Sequence, residues 1–212
     1  MRFLLVGVAV LYASAAGASP ILFTASLSGL NEIPPTNSPG TGQATITLDP
    51  VAQTLQLDVA FSGLTSNTMA AHIHCCLTSP LMQANVGVAT TVPAFPGFPL
   101  GVTAGNYSSP VFDLTQPLIY NPAFITAQGG LSQAEAALIA GMMNSETYLN
   151  IHTVNFGGGE IRSFVTPAPV PEPATLTLLG FGISGLVAAK KRRSYSRKRA
   201  SSPEPTSVQA CR

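Results

Sequence analysis

Apolar and polar side chains alternate along two neighbouring segments of the chain, residues 43–48 and 55–61. Successive side chains of a β-strand point to opposite faces, so this period of two predicts two strands that are each half buried. The turn-forming residues 49–52 lie between the two segments. The pair is therefore predicted to form a β-hairpin.

Further short strands are predicted on both sides of this hairpin, at residues 21–28, 68–74, 148–153 and 160–165. One helix is predicted over roughly 132–144, because Ser132 and Glu135 have the spacing of a capping box. Residues 77–110 are rich in glycine and proline and are predicted to form a long loop. Short strands separated by turns indicate an all-β protein, an antiparallel β-sandwich with one short helix.

The N-terminus has a pattern of its own. Arg2 precedes an apolar stretch at residues 3–12, and small residues occupy Ala16 and Ala18. This order is typical of a signal peptide, here residues 1–18, which directs the chain to the export translocon. Signal peptidase is then expected to cut between Ala18 and Ser19, so that the mature chain begins outside the cytoplasm.

The C-terminus carries a second apolar segment. It is preceded by a motif of four residues, Val170, Pro171, Glu172 and Pro173, whose two prolines keep the backbone extended. The uncharged residues 174–189 follow, and as a helix they would span roughly 24 Å of membrane. The basic residues 190–193 then hold their end in the cytoplasm. The polar, proline-containing tail 194–212 is predicted to be disordered.

This C-terminal arrangement resembles the PEP-CTERM sorting signal of Gram-negative bacteria, here residues 168–193 with the motif VPEP at 170–173. The resemblance implies that an exosortase, a membrane transpeptidase, cuts at the motif. It also implies a transient anchor in the inner membrane before processing. The body of the protein would then reach the cell surface, the extracellular space or a biofilm matrix.

Net charge is divided unevenly along the chain. The whole sequence has a net charge of +1, but residues 19–169 hold seven acidic residues and one basic residue, Arg162, a net of −6. Such a domain has almost nothing with which to neutralise phosphates, which argues against binding to nucleic acid or to an anionic membrane.

Five blocks of the exported part resemble successive blocks of the CHRD domain, which is named for chordin. They read SGLNEIPP at 28–35, FSGL at 61–64, AHIH at 71–74, YLNIHT at 148–153 and GGEIR at 158–162. The resemblance implies an immunoglobulin-like β-sandwich over residues 19–167 with no assigned catalytic activity. The first functional hypothesis is therefore a non-catalytic binding or structural domain, with its polysaccharide or protein partner left open.

All three histidines of the chain fall in these blocks. His72 and His74 share one face of a strand, and His152 lies on another strand, so the imidazoles would converge on the outer face if the two strands are neighbours. Three histidines with an open coordination position are typical of a catalytic metal site, and imidazole suits copper and zinc. The His-x-His with a distant third histidine also resembles the copper ligands of Cu/Zn superoxide dismutase.

Two hypotheses follow for these histidines. In one they hydrogen-bond neighbouring loops, hold the domain together and need no cofactor. In the other they bind copper or zinc in an exported metal-binding protein, with or without redox activity. Glu160 and Asp113 are then candidate second-shell partners.

The adjacent cysteines Cys75 and Cys76 are predicted either to supply a thiolate ligand or to form a vicinal disulfide, and pairing between molecules stays open. Arg162 is expected to form an ion pair or to brace a loop. The sequence shows no order of residues typical of a catalytic triad and no phosphate-binding loop, so no catalytic residue is predicted.

Overall fold

The computed structural model describes residues 19–169 of the chain. The predicted signal peptide 1–18, the motif 170–173, the apolar segment 174–189 and the tail 194–212 lie outside the described residues. Within residues 19–169, no helix is long and apolar enough to cross a membrane.

The described part is built on an antiparallel sheet of nine strands. These are β1 (Ile21–Ser28), β2 (Thr41–Asp49), β3 (Thr54–Ser62), β4 (Thr68–His74), β5 (Gly105–Ser108), β6 (Phe112–Asp113), β7 (Tyr148–Thr153), β8 (Ile161–Phe164) and β9 (Thr166–Pro167). The order is β4-β7-β8-β1-β2-β3-β5, while β6 pairs with β3 and β9 pairs with β1. This all-β, antiparallel, curled architecture agrees with the predicted class and is consistent with a β-sandwich.

The predicted hairpin is confirmed, with Ile46 opposite Leu57 and Leu48 opposite Leu55 across β2 and β3. All four of these side chains are fully buried, so the alternation in the sequence marks the core face correctly. Strands β4 and β7 also have the predicted bounds.

The helical prediction is partly wrong, because the described residues contain two α-helices instead of one. The predicted helix is present as α2 (Leu131–Met143), but it follows Gly130 and receives no side-chain cap at its start, so the proposed capping box does not form. The unpredicted helix, α1 (Pro122–Gln128), begins after Asn121, whose side chain accepts a hydrogen bond from the backbone N–H of Ala123.

The long loop predicted for residues 77–110 also contains more structure than expected. It includes β5, and isolated bridges join Val88 to His74 and Ala94 to Ala71 of β4. Phe95 and Phe98 of this segment are buried in the core. Residues 84–98 therefore run along β4 and cover part of it.

The core lies on the face of β4 and β7 that carries Ile73, Leu149 and Ile151. Helix α2 contributes Leu138 and Met142 to the same cluster. Because side chains alternate along a strand, the neighbouring positions of β4 and β7 point to the opposite face, where the histidines lie.

Candidate functional site

The pairing of β4 with β7 brings the three histidines together. The two strands are antiparallel neighbours, with His72 opposite Asn150 and Ala70 opposite His152. Directly opposed residues share a face of the sheet, so His72, His74 and His152 lie on one face. The alternation in the sequence predicts this arrangement, and the neighbouring strands supply the condition on which it depends.

The imidazole rings lie close to one another. The ring centroids of His72 and His152 are 4.6 Å apart, those of His72 and His74 are 5.0 Å apart, and those of His74 and His152 are 6.2 Å apart. One ring nitrogen from each histidine can be chosen so that all three lie within 4.8 Å of one another. We call these three residues the histidine triad.

The sequence suggested that the triad lies on the outer face of the domain, but the three side chains are buried. His72, His74 and His152 are 5%, 8% and 9% exposed. Loops contact two of them: the carbonyl of Val86 lies 2.6 Å from Nδ1 of His74, and that of Gly157 lies 2.9 Å from Nδ1 of His152. His74 and His152 are thus held at the boundary between the sheet and a surface loop.

Hydrogen bonds determine which nitrogen of two rings carries a lone pair. A carbonyl oxygen only accepts, so Nδ1–H of His74 donates to Val86 and Nδ1–H of His152 donates to Gly157. In a neutral ring the lone pair then lies on Nε2. Nε2 of His152 faces the side-chain amide of Asn150, 2.9 Å from its Oδ1, and that amide presents either end by rotating about its terminal bond.

Burial keeps the triad neutral. It lowers the pKa of His72 to about 3, assisted by the neighbouring His152 and His74. Burial likewise lowers the pKa of His74 to about 4, although the hydrogen bond to Val86 opposes the change. The pKa of His152 is lowered by burial against the opposing effect of Gly157. At neutral pH all three imidazoles are therefore neutral, with one N–H and one lone pair each, which is the state that binds metal ions.

Two buried ring nitrogens of the triad have no hydrogen-bond partner within the described residues. They are Nδ1 of His72 and Nε2 of His74. An unpaired polar atom in a protein interior costs free energy, and most such atoms find a partner. These two nitrogens belong to the same small cluster, so the triad offers ligand atoms to which the described part of the chain gives no partner.

Aromatic and charged groups line the flank of the triad. The ring of Tyr148 stacks on His74 with a centroid distance of 4.5 Å, and the Arg162 guanidinium lies 4.5 Å from the Tyr148 ring centroid. Nε of Arg162 is 3.9 Å from Oε2 of Glu32. Burial raises the pKa of Glu32 to about 7, although the charge of Arg162 opposes the change.

Arg162 is the bracing residue that the sequence suggests. It is 2% exposed, and it donates to the backbone carbonyls of Asn31 and Ala84 and to Oδ1 of Asn85. It thereby joins β8 to two loops that are far away along the chain.

The candidate carboxylate partners do not reach the triad. Glu160 instead accepts hydrogen bonds from Ser38, Thr65 and Thr153. Asp113 is exposed on β6 and accepts from Thr115. The backbone carbonyls of Val86 and Gly157 occupy the positions that these carboxylates were expected to fill.

Cys75 and Cys76 are joined to each other in a disulfide. Their sulfurs lie near the carbonyl of Ala137 in α2, on the core side of the sheet. In this state neither cysteine supplies the thiolate ligand that was one of the alternatives.

Sequence reasoning misses the groups that orient the triad. Asn150 gave a detectable signal, since it alternates with His152 along β7 and so shares its face. Val86 and Gly157 act through backbone carbonyls, which every residue type possesses. Their identity in the sequence therefore gives no indication of this role.

Comparison with known proteins gives two matches to family models. The model of the CHRD domain matches residues 23–165, and that of the PEP-CTERM protein-sorting motif matches residues 169–193. Neither the search of curated proteins nor that of solved structures finds a match.

Proposed function

This chain belongs to the CHRD domain family, and we propose that it is an exported protein whose CHRD domain acts at the cell surface or in the extracellular matrix as a non-catalytic binding or structural module. The observation that carries the proposal is the order of the two matches, because the sorting motif follows directly after the domain. The PEP-CTERM motif indicates recognition by an exosortase and export to the cell surface.

The route of export completes the proposal. The translocon receives the signal peptide 1–18, and signal peptidase cuts between Ala18 and Ser19. Residues 174–189 then anchor the precursor in the inner membrane while the basic residues after them remain in the cytoplasm. Exosortase cuts at 170–173 and frees the domain from this anchor, as in other sorting signals whose hydrophobic tail is removed.

The contacts of the buried charged groups support a non-catalytic domain. The side chain of Glu160, just before β8, and that of Arg162, in β8, form hydrogen bonds with loops that are distant along the chain. Neither CHRD nor PEP-CTERM is an enzyme family.

A surface groove of about 460 Å³ also suits binding better than acid–base chemistry. Its lining contains only neutral side chains, and the residues are Thr41, Gly42, Gln43, Ala60, Phe61, Ser62, Ala104, Gly105 and Asn106. Hydroxyl and amide groups of this kind fit a neutral ligand such as a surface polysaccharide.

The sequence supplies a matched pair of variants to test the sorting route. Pro-Glu-Pro occurs at Pro171–Pro173 inside the matched motif and again at Pro203–Pro205 beyond it. Glu172→Ala is expected to stop processing in an exosortase-containing host, so the full-length precursor stays in the inner membrane. Glu204→Ala is expected to leave processing unchanged. Cell fractionation and intact-mass measurement report both outcomes.

Deletion of residues 170–212 tests the same route from the other side. The truncated protein should bypass the membrane intermediate altogether. The proposal is wrong if the Glu172→Ala protein is processed and located like the unaltered protein, or if removal of exosortase leaves the distribution unchanged.

A further inference from the structure

We propose that the histidine triad is a metal site that binds one Cu²⁺ or Zn²⁺ ion through a ring nitrogen of each of His72, His74 and His152. The site is independent of the sorting route and of any ligand in the surface groove. It assigns a role to the two ring nitrogens that have no partner within residues 19–169.

The spacing of the ring nitrogens is close to that of a metal site. Zinc–imidazole bonds are about 2.0–2.1 Å long, so two ligand atoms of a tetrahedral ion lie about 3.4 Å apart. The three ring nitrogens lie within 4.8 Å of one another. Movements of less than about 1 Å, within reach of small rotations about the side-chain bonds, bring them to binding distance.

The hydrogen bonds of the triad resemble the second shell of a metal site. Metal-binding histidines almost always donate their other ring N–H to a carbonyl or carboxylate, which fixes the tautomer and the ring orientation. His74 donates to the carbonyl of Val86 and His152 to that of Gly157. Both contacts leave Nε2 as the ligand atom of a neutral ring.

The donor set selects the class of metal. Three imidazole nitrogens suit copper and zinc, whereas calcium and magnesium prefer oxygen ligands. Within residues 19–169, the triad is the group of histidine, cysteine, aspartate or glutamate residues whose geometry fits a shared ion. Three protein ligands also leave a position open for water or for a fourth group such as the amide of Asn150.

The loop beside His152 is the entry that we infer for the ion. The loop that carries Gly157 covers His152, and a methyl group added at Gly157 or Gly158 would meet open space within 4 Å. These two positions therefore face open space, which leaves room for the loop to move aside as the ion enters.

The first test measures metal binding directly. The protein, purified without a histidine tag in its exported form, is stripped with a chelator and dialysed against Cu²⁺ or Zn²⁺. We expect one equivalent of ion per chain at micromolar free metal. The chain contains three histidines in all, so couplings characteristic of imidazole nitrogen in the electron paramagnetic resonance spectrum of the Cu²⁺ form can arise only from the triad.

The second test removes one ligand at a time. His72→Gln, His74→Gln and His152→Gln should each weaken binding by more than about 100-fold, which exceeds the usual effect of losing a second-shell partner. The control is Thr147→Val, because Thr147 is fully buried, its hydroxyl has no partner among the described residues, and its methyl group lies on the α2 side near Gly141. This variant should bind metal like the unaltered protein.

Two results would overturn the proposal. One is that the unaltered, folded protein binds neither ion at micromolar concentration. This measurement does not depend on whether any variant folds. The other is binding that survives each of the three substitutions, since the ion would then lie outside the triad. The difference between the Cu²⁺ and Zn²⁺ affinities shows which of the two ions the triad prefers.

Discussion

The carboxylate of Glu160 holds three separate parts of the chain. It accepts hydrogen bonds from the hydroxyls of Ser38 and Thr153 and from the backbone N–H of Thr65. Burial raises the pKa of Glu160, but these donors outweigh the burial and bring the pKa below its ordinary value of 4.5. The ionised form is therefore the one that stabilises the fold.

We expect Glu160→Gln to lower the free energy of unfolding by about 2–3 kcal/mol at neutral pH, because the amide leaves buried donors unsatisfied. A group with a depressed pKa in the folded state contributes stability above its unfolded pKa and loses it as the pH falls through the folded pKa. The gap between variant and unaltered protein should therefore narrow below pH 4.5. Urea unfolding across this range measures it, and a gap independent of pH would contradict the role of the charge.

Arg162 is the second buried charged residue whose replacement should destabilise the fold. Its partner Glu32 is 4% exposed, and Oε1 of Glu32 has no hydrogen-bond partner within the described residues. Arg162→Leu leaves this carboxyl without its counter-charge and frees the acceptors of Asn31 and Asn85. We expect a loss of about 3–5 kcal/mol in the free energy of unfolding.

A double-mutant cycle separates the pair from the packing. Arg162→Leu combined with Glu32→Leu should cost less than the sum of the single changes by about 1–3 kcal/mol, because no buried charge is left uncompensated. Additive single changes would show that Arg162 acts only through its contacts to the loops.

At the scale of elements, the connection between β7 and β8 depends on one glycine. Gly159 has φ of +126°, and a Cβ there would lie 2.5 Å from Oε1 of Glu32 and 2.8 Å from Nδ2 of Asn150. Its neighbour Gly158 has open space around the same position. Two adjacent glycines thus provide a matched comparison within one turn.

We expect Gly159→Ala to lower the free energy of unfolding by about 2–4 kcal/mol, because backbone strain and steric overlap add. Gly158→Ala should change it by less than about 0.5 kcal/mol, as at other exposed positions. Denaturant midpoints measure both. Equal effects of the two substitutions would contradict the role assigned to Gly159.

The elements also show how far the sequence determines the fold. The hairpin β2–β3 and strands β4 and β7 are predictable, because alternation and turn residues are local signals. Strand β5 is not, since its four residues, Gly105–Ser108, take their strand form from pairing with the distant β3. Helix α1 is missed although Asn121 and Pro122 form a recognisable start, and Ser132 suggests a cap that Gly130 replaces.

The candidate site divides in the same way. The common face of His72 and His74 follows from the two-residue period of a strand, and so does that of Asn150 and His152. The cover over the triad does not, because it comes from backbone carbonyls of the loops that follow β4 and β7, and backbone groups leave no mark in the sequence. To predict the contact of Val86 with His74, one would need the path of the backbone through residues 84–88, and the composition of that segment does not determine this path.

At the scale of the whole molecule, processing should change the charge of the protein. The full chain has a net charge of +1 and an isoelectric point of about 7.7, while residues 19–169 have seven acidic residues and one basic residue. Removal of both ends therefore leaves an acidic protein. Isoelectric focusing should place the exported form far below the precursor, and an exported form that focuses with the precursor would show that the basic tail is retained.

Arg162 is the only lysine or arginine among residues 19–169, and it is 2% exposed on a strand that is paired on both sides. A trypsin-like protease cuts after such residues and must grip an open, extended segment to do so. Released into surroundings that contain such enzymes, the folded domain offers them a single target that is out of reach. Its survival there depends on how often β8 leaves the sheet, so the rate of digestion becomes a measure of that opening.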